Sequence, residues 1–280
     1  MAPQLRFKQV DVFTAVPYRG NPLAVVLDGE GLDTATMQAF TDWTNLSEAT
    51  FLLPPTSPEA DYRVRIFCPG RELPFAGHPT LGSCHAWLEA GGRPRGEETI
   101  VQECGVGLVR LRRDGDRLAF AAPPLRRSGP LDEAEVVEIA AFLGVAREDI
   151  LHHAWCDNGP NWRGVMLASA ARLLALEPEA ALLRGRDLGV VAPHEPGGEC
   201  AFEVRAFFPG NGGMAEDPVT GSLNAALAQW LIGAGLAPPR YVAAQGTALR
   251  RAGRVHVEAA GEQVWIGGAS VTCIDGRVAL

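Results

Sequence analysis

Lysine is almost missing from this chain: among 25 basic residues, 24 are arginine and one, Lys8, is lysine. Pyridoxal phosphate is held as a lysine Schiff base, so that cofactor would have to be built on one residue near the N-terminus and is not expected. Cysteine is sparse as well. The six stand at 68, 84, 104, 156, 200 and 273 with no CxxC spacing, which argues for small buried hydrophobes rather than a zinc site or disulfide framework. The six histidines form no HExxH, so no metal is expected, and Gly105 with Gly107 makes only GxG, neither a Walker A loop nor a dinucleotide fingerprint. Positive charge is in deficit. A formal charge of -8 and a pI near 5.3, with no long basic run, give no general attraction for phosphate, so nucleic acid is not expected as a partner. Long apolar runs are lacking too: none approaches the roughly 18 residues of a membrane span, and the start, MAPQLRFKQVDVF, has no signal-peptide core. A cytoplasmic chain without a membrane partner is the expectation.

What is present suits a globular protein: 280 residues, 47% hydrophobic and 21% charged, enough for one large or two mid-sized cores. Internal repetition favours two. At an offset of 140, VRIFCPG (64–70) falls on VRAFFPG (204–210), and at 139, HPTLGSCHAWL (78–88) falls on DPVTGSLNAAL (217–227). NPLAVVL (21–27) is echoed more weakly by NWRGVML (161–167). Two similar halves follow, 1–126 and 127–280, joined near AAPPLRRSGP, with the last strand, about 267–280, free to return to the first half.

Each half reads mainly as sheet. Alternation marks strands at 63–67 and 202–207, and around 23–27, 108–111, 117–120, 254–257 and 263–266. The segments after His78-Pro79 and Asp217-Pro218 are apolar nearly all round, the mark of a buried helix. Proline suits a first helical position and Asp217 an N-cap, so both helices are expected to start there. Each half should therefore wrap a curved sheet around one central helix, an α+β architecture. Further helices are read at 34–43, at 132–143 with Gly144 behind it, and at 170–183, broken at Pro178.

If the halves face each other about an approximate two-fold axis, both buried helices offer unpaired N–H groups and partial positive charge to a cleft that suits a small anion. Gly82-Ser83 and Gly221-Ser222 are expected in the first turns, where a bare backbone and a hydroxyl can meet a ligand. His78 sits where a helix field disfavours imidazolium, fitting a neutral hydrogen-bonding partner, although a histidine there can equally be a structural one. Asp217 fits either a carboxylate partner or a plain cap. In NLSEATFLL (45–53), Glu48 shares a face with Leu46, Thr50 and Leu52. If that face is buried, the carboxyl suits proton transfer near neutrality; if Ser47, Ala49, Phe51 and Leu53 point inward, it lies in solvent. Leu188 lies near the position equivalent to Glu48, which gives one half the acid and leaves the other without it.

These residues carry a resemblance. GNPLAVV (20–26), NLSEATF (45–51), ELPFAGHPTLGS (72–83), EDPVTGS (216–222), QG (245–246) and GGASV (267–271) together resemble the phenazine-biosynthesis PhzF-like isomerase family over nearly the whole chain. The resemblance implies a diaminopimelate epimerase-like fold, an active site between the halves and a homodimer. It implies Glu48 as catalytic acid/base, His78 and Asp217 as its polar partners, and Gly77, Gly221 and Ser222 as a cradle for the substrate carboxylate. Ser83 joins these as a substrate-binding residue from the repeat. Ala49 and Leu223 depart from the family's usual residues beside the site, which bears on substrate more than on reaction type.

Both lines lead to cofactor-independent proton transfer on a small carboxylate, with Glu48 taking a proton from carbon and returning it elsewhere. A single candidate base favours a double-bond shift over a symmetric two-base inversion. One alternative is a two-thiol racemase or epimerase, which would need cysteines where Gly77 and Glu216 stand; the other is a non-catalytic small-acid-binding protein.

Overall fold

A computed structural model describes residues 4–96, 99–210 and 213–280. The chain divides into two compact units, Met1–Ala121 with Gly267–Leu280, and Ala122–Ile266. The change of unit thus falls at 121/122, five residues before the 126/127 boundary read from the sequence.

The first unit is a mixed sheet. β1 (Gln4–Val12) pairs antiparallel with β2 (Asn21–Val26), which lies parallel to β3 (Ala49–Leu53); β3 is antiparallel to β4 (Tyr62–Cys68). One edge of β4 is shared, antiparallel to β5 (Arg71–Leu73) at one end and parallel to β6 (Thr99–Cys104) at the other. β7 (Gly107–Asp114) and β8 (Arg117–Ala121) continue antiparallel. The opposite edge is closed by the chain's final strand, β17 (Ser270–Ala279), antiparallel to β1. Lys8 of β1 ties that edge inward, its ammonium 2.8 Å from Asp275 of β17 and 3.0 Å from Glu89.

Both faces of this sheet are covered, so β2 and β3 read as nearly unbroken apolar runs instead of alternating. On one face lies α1 (Thr34–Thr44), begun by Asp33, whose Oδ1 accepts from the Thr36 N–H at 2.7 Å. Its Met37 and Phe40 pack on Ala49, Phe51 and Phe67, with Phe40–Phe51 and Phe51–Phe67 meeting edge to face. On the other lies α2 (Gly77–Glu89), packed against β1, β2, β3, β8 and β17. The sheet curls around it. Gly82 permits this closeness: a Cβ there would stand 2.7 Å from Leu23 Cδ2 and 2.8 Å from Val12 Cγ2.

The second unit repeats the pairing. β9 (His152–Cys156) is antiparallel to β10 (Trp162–Met166), β10 parallel to β11 (Leu188–Pro193), and β11 antiparallel to β12 (Phe202–Gly210). β12 again splits one edge between an antiparallel β13 (Gly213–Asp217) and a parallel β14 (Arg240–Gln245), and β15 (Gly253–Ala260) is antiparallel to β14. α5 (Gly221–Gly233) packs against β9, β10 and β15. β16 (Gln263–Gly268) leads back to the first unit. α3 (Glu133–Leu143), ended by Gly144 in the left-handed region, covers the outer face with Val136, Ile139, Phe142 and Leu143 against Val190 and Phe207.

The helix expected over 170–183 is much shorter. α4 (Ala170–Leu174) starts at the Ser169 cap and stops ahead of Pro178, followed by a 3-10 turn at Ala180–Leu182. The carbonyls of Leu173 and Leu176 are taken by Arg205 Nη1 at 3.3 and 2.9 Å, so a buried guanidinium replaces the next helical turn.

Candidate active site

Three elements of the first unit bring polar groups to the start of α2. Glu48 immediately precedes β3, Asn21 opens β2, and His78 is the second residue of α2. His78 is 4% exposed, and its Nε2 stands 3.5 Å from Glu48 Oε2; the Glu48 side chain is 16% exposed. On the far side of the ring, Nδ1 lies 3.4 Å from Asn21 Nδ2. Burial pushes the His78 pKa down to about 3, against a backbone hydrogen bond to Pro22 that favours the proton. The imidazole is therefore neutral near pH 7. Its approach to Glu48 is thus not an ion pair, and at 3.5 Å Nε2 and Oε2 do not meet as a hydrogen bond; contacts of this length between catalytic groups can shorten when substrate binds.

The two possible faces of Glu48 turn out not to be alternatives. Ala49 and Phe51 face α1, whereas Thr50 faces α2 and receives the Ser83 hydroxyl at 2.9 Å. Glu48 keeps the parity of Thr50 and reaches a residue of α2.

The helix starts need correction. α2 is capped by Ala76 and α5 by Thr220, neither with a side-chain cap bond, so neither His78 nor Asp217 is an N-cap. His78 lies within the first turn of α2, with Pro79 third; a proline is tolerated there because first-turn N–H groups have no helical partner. Gly77 and His78 thus present the backbone donors of this end. Gly82 and Ser83 are the sixth and seventh residues of α2, not in its first turn, and Ser83 is wholly buried. Gly221 and Ser222 do open α5.

Asp217 ends β13, four residues before α5, and its Oδ2 accepts the Thr220 hydroxyl at 2.6 Å. Gln245 spans the turn, receiving the Thr220 N–H at 3.0 Å and donating to the Asp217 carbonyl at 3.1 Å. Gly246 makes room, with φ 90° and only 2.6 Å between a would-be Cβ and the Pro218 carbonyl. Ser222 is held at both ends: its Oγ accepts from Trp162 Nε1 at 3.1 Å and its carbonyl from Asn158 Nδ2 at 2.9 Å. Asn21, Asn158, Trp162, Thr220 and Gln245 were not singled out as site residues. GNP, DPVTGS and QG carried Asn21, Thr220 and Gln245 within the motifs. Asn158 and Trp162 had no local signal.

A second correction concerns the missing acid. Phe67 pairs with Ala49 and its counterpart Phe207 with Leu188, so Leu188 corresponds to Ala49 and Asp187 to Glu48. Packing agrees. Thr50 meets Ser83, and the equivalent Gly189 meets Leu223, the side chain 2.3 Å from a would-be Cβ. An acid therefore precedes the third strand of both units.

A duplicated sheet-around-helix unit, with a carboxyl and a neutral imidazole at one buried helix start, defines a member of the epimerase-like α+β class. The same fold occurs in a hydroxyproline epimerase from Agrobacterium vitis at a TM-score of 0.61, with 15% identity over 100% of this chain and 94% of that one. The chain belongs to the PhzC-PhzF family of phenazine biosynthesis-like proteins, whose model matches residues 10–276. It is 36% identical to antisense-enhancing sequence 1 of Schizosaccharomyces pombe over 97% of both chains. It is 34% identical to trans-2,3-dihydro-3-hydroxyanthranilate isomerase of Pseudomonas aeruginosa over 92% of both. A PhzF-family crystal structure from Enterococcus faecalis matches at a TM-score of 0.82 with 25% identity, covering 99% of this chain and 100% of that one. The chain is thereby an isomerase. Among the described residues, no helix is long and apolar enough to cross a membrane.

Proposed function

We propose that this isomerase moves a proton on a small carboxylate substrate without a cofactor, with Glu48 as the acid/base. The observation that carries the reading is Glu48 standing 3.5 Å from a buried His78 that is neutral near pH 7. A neutral imidazole can hydrogen-bond the carboxyl in either protonation state, which a base that both takes and returns a proton requires. Gly77, Gly221 and Ser222 are assigned to the substrate carboxylate through first-turn backbone N–H groups, which favour an anion and stabilise charge developing in a conjugated enolate. Asp217 is assigned as the second unit's polar partner in the proton transfer. Ser83, with its hydroxyl on Thr50, supports the backbone from within and does not touch substrate in this reading.

The thiol route has less support. Burial pushes the Cys84 and Cys156 pKa values up to about 12, so neither is a thiolate base near neutrality. With Asp187 matching Glu48, each unit carries a candidate acid, and a double-bond shift is no longer favoured over inversion. The proposal is therefore proton abstraction and return, covering both outcomes.

The test is incubation in heavy water with trans-2,3-dihydro-3-hydroxyanthranilate and a panel of cyclic and amino-acid carboxylates, reading deuterium uptake by mass spectrometry. Uptake by wild type that is abolished in Glu48→Gln, with binding kept, supports the reading. Binding without uptake by either protein favours a small-acid-binding role. Non-additive losses in a Glu48→Gln/Asp217→Asn double-mutant cycle would support action of both groups on one substrate.

A further inference from the structure

The groups around Gln245 set a chain of hydrogen-bond directions that ends on Asp217. Gln245 is 1% exposed, and both ends of its amide meet backbone groups of fixed polarity. Its Oε1 receives the Thr220 N–H at 3.0 Å, which can only donate, and its Nε2 faces the Asp217 carbonyl at 3.1 Å, which can only accept. Asn224 Nδ2 points the same way, 2.7 Å from Gln245 Oε1 and 2.9 Å from the Thr220 carbonyl. The amide cannot flip without opposing these partners. Its Nε2 also donates to Thr220 Oγ1 at 2.9 Å, so the hydroxyl is already an acceptor there and must send its own proton elsewhere. That proton goes to Asp217 Oδ2, at 2.6 Å.

We propose that Gln245 is a positioning residue which, through Thr220, commits Asp217 Oδ2 to accepting and so holds the Asp217 carboxylate in one orientation for proton transfer. The inference rests on the reading of Asp217 as a partner in proton transfer. A carboxylate with two equivalent oxygens can protonate on either and swing about its last bond. One with Oδ2 pinned is held in a single direction, and misplacement of a proton-transfer group by about 1 Å can cost about 100-fold in rate. Gly246, which only a residue without Cβ can fill beside the Pro218 carbonyl, keeps Gln245 pressed on this turn. The Gln245-Gly246 pair is then explained as a polarity clamp on the Asp217–Thr220 turn, distinct from any contact with substrate.

Substitutions at 220 separate this role from simple support of the turn. Thr220→Val keeps shape and backbone but removes the hydroxyl; Thr220→Ser restores it. Gln245→Glu replaces the donating nitrogen by a carboxyl that can accept, allowing the Thr220 hydroxyl to turn away from Asp217. With trans-2,3-dihydro-3-hydroxyanthranilate as probe, kcat for Thr220→Val and Gln245→Glu is expected to fall about tenfold or more with KM little changed, and Thr220→Ser to recover within about threefold. Full turnover in Thr220→Val, or equal damage in Thr220→Ser, would overturn the proposal. A second readout needs no turnover: the carboxyl carbon signal of Asp217 in protein labelled at aspartate, assigned through its loss in Asp217→Asn. It should move in Thr220→Val and stay in Thr220→Ser, and a signal unmoved in both overturns the proposal. If wild type exchanges deuterium with no carboxylate of the panel, the functional reading fails while the labelled spectra still decide the clamp; if Gln245→Glu does not fold, the two Thr220 variants decide it alone.

Discussion

The two units share a strand-pairing plan and differ in what stands at the start of the central helix. In the first, the helix begins at Gly77 with a buried imidazole in its first turn; in the second it begins at Gly221, and a turn clamped by Gln245 carries Asp217. The repeat aligns His78 with Asp217, yet one is helical and the other ends a strand. Duplication has kept the scaffold, including the shared edge of β4 and of β12, and let the polar ends diverge. A scaffold of that kind holds polar groups on or beside regular elements and leaves each unit free to supply a different group.

The largest expected effect tests whether the difference is functional. Glu48→Gln should lower solvent-deuterium exchange by about 1000-fold, whereas Asp187→Asn should change it less than about threefold if the first unit alone supplies the base. Equal losses would instead mean that the matched acids work as a pair, as inversion at carbon would require. Next comes a test of whether the scaffolds are equally demanding. Phe51→Ala and Phe207→Ala remove wholly buried rings from outer-face clusters, and each should cost about 3–5 kcal/mol in denaturant unfolding. A much smaller loss in one would show that its unit is the more loosely packed.

The third prediction uses acid. His78 has a folded pKa near 3 against an ordinary 6.5, so the unfolded chain binds the proton more readily. Its contribution to stability is complete above about pH 6.5 and is lost as pH falls toward 3, at roughly 1.4 kcal/mol per pH unit. His78→Gln should remove that slope in urea titrations between these limits, while Asp217→Asn should leave it in place. The smallest effect concerns helix–sheet contact. Gly82→Ala and Gly189→Ala each put a methyl into side chains of the facing element, at a cost of about 1–3 kcal/mol. Gly82→Ala presses on two branched side chains of separate strands and Gly189→Ala on Leu223 alone, so thermal melts should show the greater loss for Gly82→Ala.

Much of this was legible in local pattern. Alternation at 63–67 and 202–207 became β4 and β12, the run at 34–43 became α1 behind its Asp33 cap, and Gly144 ended α3 as read. The two central helices were legible from their lack of a polar face. Their first residues were not, because proline marks a helix start only loosely: Pro79 is the third residue of α2, whereas Pro218 stands three residues before α5. The face of Glu48 was undecidable by alternation since β3 is buried on both sides, and only the positions of α1 and α2 separate them. Asp187 escaped for a narrower reason: the repeat runs at offsets of both 139 and 140, and a one-residue slip exchanges an acid for a leucine. The Arg205 guanidinium that ends α4 is distant in sequence and left no trace near 174.

The pairing of β17 with β1 has a consequence for the order of events on the ribosome. Residues 122–266 form a unit contiguous in sequence, and all of its parts are available once that stretch has emerged. The earlier unit must wait for its missing border, encoded after the second unit, and until then β1 offers an open edge with Lys8 lacking its Asp275 partner. Nascent chains should therefore acquire protease resistance in the 122–266 segment first, and the N-terminal one should mature only once residues 270–279 have emerged.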